Sequence, residues 1–162
     1  MINDKMQKAL NEQLNVELYS AYLYLAMAAW FQGKNLLGFA HWLEVQAKEE
    51  LGHAMKFYHF LNERSGRVAL KAVDAPAAEW SNPRAAFEDA YKHEQKVTGL
   101  IHGLVEKALA EKDFASEVFL EWFVTEQVEE ESSTSEIVEK LKMAGDAANV
   151  LLMLDGVLGK RE

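Results

Sequence analysis

In the stretch WLEVQAKEELGHAMKFYHFL, residues 42–61, a carboxylate and an imidazole stand three positions apart, at Glu50 and His53. On a helix that spacing puts both groups on one face, a turn apart, where they can grip one cation together. The same face carries Ala40, Leu43, Ala47, Ala54, Phe57 and Leu61, the alternating three- and four-residue steps of a seam that faces other helices, so Glu50 interrupts an apolar stripe. Three more seams break in the same way. Leu10, Leu14, Ala21, Tyr24, Ala28 and Phe31 are interrupted by Glu17; Phe87, Ala90, Val97, Ile101, Leu104 and Ala108 by Glu94. Ser116, Leu120, Phe123, Thr134, Ile137 and Leu141 are interrupted by a pair, Gln127 and Glu130.

Each of these Glu residues lies near the middle of its apolar segment, so all share one level of a helical bundle whichever way each helix points. Burying such ions costs several kcal/mol apiece, and like charges repel one another besides. The seams supply no Lys or Arg, which leaves bound cations to balance the charge. Carboxylate oxygens with one imidazole suit Fe, Mn or Zn, with all-oxygen Ca or Mg less favoured, and two divalent ions match four carboxylates. Tyr24, two turns after Glu17 on its face, is a core residue by pattern and a hydrogen-bonding or redox-active neighbour of the metals by position. In EQVEEE, residues 126–131, Glu126, Glu129 and Glu130 form an acidic stripe. Glu49 could turn toward it across the bundle, giving a third, looser metal site. His41, His59, His93 and His102 have no matching carboxylate spacing and are expected at the surface or as satisfied core residues.

The elements that must position these groups follow from periodicity and punctuation. With prolines only at 76 and 83, long stretches are free to be helical. Four helices of roughly 30 residues, about 45 Å each, are expected over 3–32, 35–64, 82–111 and 113–144. Asn3, Asn35, Asn82 before Pro83, and Asp113 are their expected N-caps, and Gly33, Gly66 and Gly145 suit C-termini. Short links make hairpins of the first and last pairs. The connection 65–82, SGRVALKAVDAPAAEWSN, can reach about 60 Å, the length of a helix, and so makes the second and third helices parallel. A short apolar fifth helix over 146–158 completes an all-α single domain, a four-helix bundle with one long crossover spanning 1–162. The run SSTS, 132–135, is a poor helix interior with no functional reading.

Composition bounds the function. At 162 residues with 49% hydrophobic and 27% charged, the chain is long enough to bury a core. A net charge of −9 disfavours nucleic acid as a partner and favours cations. The chain has no cysteine, which excludes thiolate ligands and a Cys nucleophile and suits a reducing compartment. Neither an apolar signal core nor a membrane-length run is present, so a cytoplasmic protein is expected. Tyr22, Leu25, Trp42, Met55, Tyr58 and Trp122 lie outside the seams, for burial between subunits or in the intrachain core.

Over its whole length the chain resembles prokaryotic non-haem ferritins. The resemblance rests on LNEQLNVELYSAYLY around Glu17, EELGHAMKF around Glu50 and His53, YKHEQ around Glu94 and FLEWFVTEQVEEE around Gln127 and Glu130, together with the crossover and fifth helix. It implies a ferroxidase that oxidises Fe(II) with O2 or H2O2 and stores ferric mineral inside a homo-oligomeric shell of 24 chains. One iron site would use Glu17, Glu50 and His53. The second would use Glu50, Glu94 and Glu130, with Glu50 bridging and Gln127 close by; a third would use Glu49, Glu126, Glu129 and Glu130. By the same resemblance Glu117, and less so Glu121, would guide cations through a channel at the three-fold axis. Haem is not expected, because Leu51 follows Glu50 where bacterioferritins place Met, Met55 is displaced by a turn, and Gln127-x-x-Glu130 replaces a second E-x-x-H. A rubrerythrin would need cysteines, and DNA-protecting mini-ferritins lack the fifth helix. The alternatives are a stand-alone di-iron oxidase or peroxidase of the same superfamily and a metal-free helical scaffold.

Overall fold

Five helices and no strand make up the computed structural model, which describes all 162 residues. They are α1 (Asp4–Gly33), α2 (Leu37–Glu63), α3 (Pro83–Ala110), α4 (Phe114–Ala144) and α5 (Ala148–Leu158). Three start as their caps direct. Asn3 Oδ1 accepts from Met6 N at 2.9 Å, Asn82 Oδ1 from Ala85 N at 2.8 Å ahead of Pro83, and Asp113 Oδ1 from Ser116 N at 3.2 Å. The fourth cap is not Asn35. That residue adopts a left-handed φ of 57° and closes α1 instead, where Leu36 N donates to Phe31 O at 3.1 Å. The start of α2 is capped from a distance: Asp155 Oδ1 on α5 accepts from Gly38 N at 2.8 Å and Phe39 N at 3.0 Å.

The glycines serve the helix ends differently from expectation as well. Left-handed residues after α1, α2 and α3 are Asn35, Ser65 and Lys112, each followed by an amide that bonds back five residues; the one glycine with positive φ, Gly145 at 54°, ends α4 differently, its own amide donating to Leu141 O at 3.2 Å. Gly33 is the last residue of α1. Gly66 is required by close approach, since a Cβ there would stand 2.9 Å from Ile2 Cγ2 and 3.0 Å from Leu61 O.

The crossover sets the topology. Ile2 N donates to Arg64 O at 3.1 Å, so α2 ends where α1 begins. The chain then runs along α1: Arg67 N bonds Gln7 Oε1 and Ala69 N bonds Asn11 Oδ1, both at 2.7 Å, and near the other end Trp30 Nε1 bonds Glu79 Oε2 at 3.1 Å. α3 therefore starts at the far end and runs parallel to α2, as the length of the connection implies. An Arg64–Asp113 ion pair at 2.9 Å ties the end of α2 to the start of α4.

Packing follows the seams, with one interruption. Every seam residue named for α2, α3 and α4 is buried, while Ala21 on α1 is only partly so. The apolar core is in two separate pieces. One, at the α5 end, includes Phe31, Phe39, Phe87 and Leu141; the other includes Met6, Leu10, Phe57, Ile101 and Phe123. Trp42 belongs to the first piece, whereas Tyr22, Leu25, Met55, Tyr58 and Trp122 are exposed on the chain. SSTS lies inside α4, where Thr134 Oγ1 donates to Glu130 O at 2.7 Å and Ser135 Oγ to Ser132 O at 3.2 Å, answering those two hydroxyls within the helix. No helix is long and apolar enough to cross a membrane.

α5 docks on α2 closely enough that a Cβ on Gly38 would sit 1.7 Å from Asp155 O. Gly38→Ala is therefore expected to lower the thermal midpoint more than Asp155→Ala, which loses a cap worth about 1 kcal/mol. A Gly38→Ala protein as heat-resistant as the parent would contradict this packing.

Candidate metal centre

Between the two apolar pieces lies a polar layer. Glu17 from α1, Glu50 and His53 from α2, Glu94 from α3 and Gln127 and Glu130 from α4 are all buried there. Three sets have donor atoms mutually within 4.8 Å: Glu17, Glu50 and His53; Glu50, Glu94 and Glu130; and His53, Glu126 and Glu130. Glu50 belongs to the first two, as a bridging carboxylate must. His53 Nδ1 faces Glu50 Oε2 at 3.2 Å and Glu17 Oε2 at 3.9 Å, while its Nε2 faces Glu126 Oε1 at 3.6 Å.

The acidic stripe is placed differently from the paired groups. Glu126 is half-buried beside His53, Glu129 is exposed and joins none of the three sets. Glu49 also joins none of them: its Oε2 lies 2.5 Å from Arg161 Nη2. Glu117 is partly buried and Glu121 exposed, both in the first part of α4. Among the other histidines, His93 Nε2 pairs with Ser20 Oγ at 2.7 Å and His41 Nε2 with Arg161 O at 2.7 Å; His59 and His102 are exposed.

Two buried amides, Gln13 and Gln46, escaped the sequence reading, whereas a third, Gln127, was named from it. Gln13 Nε2 donates to Glu17 Oε1 at 2.7 Å, and Gln46 Nε2 donates both to Glu50 Oε1 at 3.0 Å and to Glu130 Oε2 at 2.7 Å. Gln127 Nε2 donates to Glu94 Oε2 at 3.1 Å. The available signal was a repeated spacing, a Gln four residues before the seam Glu in both α1 and α2. Tyr24 completes the set, its hydroxyl donating to Glu94 Oε1. Each carboxylate thus has at least one neutral donor holding an oxygen in place, and Glu94 has two.

The electrostatics of this layer call for cations. Burial, then the charge of Glu50, raises Glu17 well above the usual carboxylate range and pushes Glu94 and Glu130 up to about 8. Burial pulls the His53 imidazole down, but the hydrogen bond and charge of Glu50, then Glu130 and Glu126, outweigh it and leave it raised. Burial and the charge of Glu94 keep the Tyr24 phenol well above its ordinary value, so it stays a donor. No Lys or Arg pairs with the four central carboxylates; His53 is their only ion-pair partner. Oxygen-rich sets sharing one carboxylate, with a single nitrogen donor, fit two ions of the iron class.

The chain is similar to known proteins over nearly its whole length. A family model described as a ferritin-like domain matches residues 7–144. A bacterial non-heme ferritin of Bacteroides fragilis is 42% identical over 161 residues, covering 99% of this chain and 100% of that protein. A bacterial non-heme ferritin of Staphylococcus aureus is 38% identical, covering 99% and 97%. Among solved structures, an open-pore ferritin from the hyperthermophilic archaeon Archaeoglobus fulgidus has a TM-score of 0.99 at 54% identity, with 100% of each chain covered.

The raised carboxyls give a pH signature. A group whose folded pKa exceeds its unfolded one holds more protons folded than unfolded between the two values, so the stability it contributes is full below the lower value and lost as pH climbs through the upper. For Glu94 and Glu130 that window runs from 4.5 to about 8, and the raised His53 acts in the same direction. The chelated protein should therefore melt at lower temperature as pH rises across the window, and added divalent cation should restore most at its upper end. A midpoint that climbs steadily with pH under chelation would overturn this account.

Proposed function

The chain belongs to the ferritin family and is an iron-storage protein that oxidises Fe(II), and we propose that oxidation occurs at a pair of sites sharing Glu50. One Fe(II) is taken by Glu17, Glu50 and His53, the other by Glu50, Glu94 and Glu130. The observation that carries this reading is the layer itself: four buried carboxylates and one imidazole, in sets that overlap at Glu50, with no protein cation among them.

The chemistry balances at such a pair. Two Fe(II) give one electron each to O2, which takes up two protons and leaves as H2O2; with H2O2 as oxidant the same two electrons and two protons yield water. Ferric ions are harder acids than ferrous ones, so a set made mostly of carboxylates holds both through the change. Gln13, Gln46 and Gln127 keep the carboxylates oriented, and Tyr24 fixes one oxygen of Glu94 while remaining protonated. We place a third, more open site at Glu126 and Glu130 beside the pair, with Glu129 on the same stripe; Glu49 joins it only by leaving Arg161. Such a site lets oxidised iron move off the pair.

Storage needs an enclosure, and ferritins assemble. Exposed Tyr22, Leu25, Met55 and Tyr58 leave apolar surface for copies of the chain, and a shell of 24 is our proposed state, with Glu117 and Glu121 as candidate cation guides near its pores. The cysteine-free composition suits the reducing cytoplasm, where we place the protein.

Aerobic loading with Fe(II) followed by size exclusion with iron detection tests the reading. Many irons per chain in a very large particle are expected; a small species holding two irons per chain would favour the stand-alone oxidase. Glu50→Ala removes a ligand from both members of the pair and should slow the initial oxidation at least about tenfold. An initial rate equal to the parent's would count against Glu50 as the bridge.

A further inference from the structure

Beyond the last turn of α5, Arg161 reaches back onto α2. Its guanidinium lies 4.2 Å from the centre of the Trp42 ring, and Nη1 donates to Gln46 Oε1 at 2.9 Å and to Trp42 O at 3.2 Å. Nη2 meets Glu49 Oε2 at 2.5 Å. Gln46 is fully buried, and its amide is used at both ends: the oxygen by Arg161, the nitrogen by Glu50 Oε1 and Glu130 Oε2.

That arrangement leaves the amide one orientation. Turned over, it would aim its oxygen at two carboxylates and its NH2 at a guanidinium, so every contact would become repulsive. Without the guanidinium, Oε1 would be a buried acceptor with no donor, and the side chain would be held from the carboxylate side alone. Glu50 and Glu130 are the carboxylates that join α2 to α4 across the layer, and Gln46 is the one neutral group that touches both. The guanidinium fork itself is planar and is held over Trp42, so the anchor is rigid.

We infer that Arg161 is a positioning residue for the metal pair: through Gln46 it fixes the Glu50 and Glu130 carboxylates relative to each other, so that the second site is preformed before metal arrives. The inference rests on the paired-site reading above. It makes α5 part of the centre's scaffold, although no residue of α5 belongs to a ligand set.

Anaerobic Co(II) titration of the assembled protein, followed by visible d–d absorption, tests this without relying on oxidation. The parent should take two Co(II) per chain in the tight phase; failure to do so would sink the paired-site reading itself, not this inference alone. Arg161→Met keeps an apolar stem across Trp42 and removes the donor. It should weaken the second Co(II) about 10- to 100-fold and change its d–d spectrum, with assembly by size exclusion unchanged. Gln46→Leu should do the same, and the double variant should be no weaker than Gln46→Leu, because the two residues act in series. Arg161→Lys retains one cationic donor and should fall between parent and Arg161→Met, which also serves if the Met variant does not assemble. With the parent binding two, parent-like Co(II) binding in Arg161→Met, additive losses in the double variant, or an Arg161→Lys no better than Arg161→Met would each overturn the inference.

Discussion

Four carboxylates confined to one desolvated layer are the constraint around which this molecule is arranged. The layer divides the apolar core into two pieces, one packed around Phe31, Phe39 and Phe87 and the other around Phe57, Ile101 and Phe123. Each piece draws on all four helices that carry the buried carboxylates, so packing at both ends of the bundle clamps the groups between. The cost is electrostatic. Glu17, Glu94 and Glu130 are all driven toward their protonated forms in the bare protein, and bound cations reverse that while offsetting the charge.

Neutral donors make the layer tolerable and give it shape. Amide N–H groups and a phenol can hold carboxylate oxygens without cancelling their charge, so Gln13, Gln46, Gln127 and Tyr24 orient the ligands yet leave their negative charge available to metal. A Lys or Arg in the same positions would satisfy the carboxylates outright and compete with iron. Arg161 is kept an amide away from Glu50 and Glu130, and the carboxylate it pairs with directly is Glu49. His53 serves two sides at once, with Nδ1 toward the pair and Nε2 toward Glu126, which makes it the junction between the closed centre and its more open flank.

α5 links one end of the bundle to this centre. Asp155 supplies the N-cap that α2 lacks, Gly38 permits the backbone approach, and Arg161 lies over Trp42. The start of α2, the docking of α5 and the arrangement around Gln46 are therefore one connected structure, running from a helix terminus to the buried carboxylates.

Local chemistry made much of this legible in the sequence. Seam periodicity marked the buried faces of α2, α3 and α4, and the mid-seam breaks at Glu17, Glu50, Glu94 and Glu130 marked the layer, because a buried charge is conspicuous against an apolar stripe. Caps at Asn3, Asn82 and Asp113 were readable because each bonds an amide three residues away. Contacts between residues far apart in the chain carry no such signal. Asp155 replaces Asn35 as the cap of α2, Arg161 takes the carboxylate of Glu49, and Gln46 reaches Glu130 across 84 positions, each decided by which helices meet and at what height. The sequence determined which groups are buried and that their charge calls for cations; tertiary structure alone decided which donors reach a carboxylate on another helix, as Tyr24 and Gln127 reach Glu94 and Gln46 reaches Glu130, since that depends on the docking of separate elements and not on spacing within any one of them.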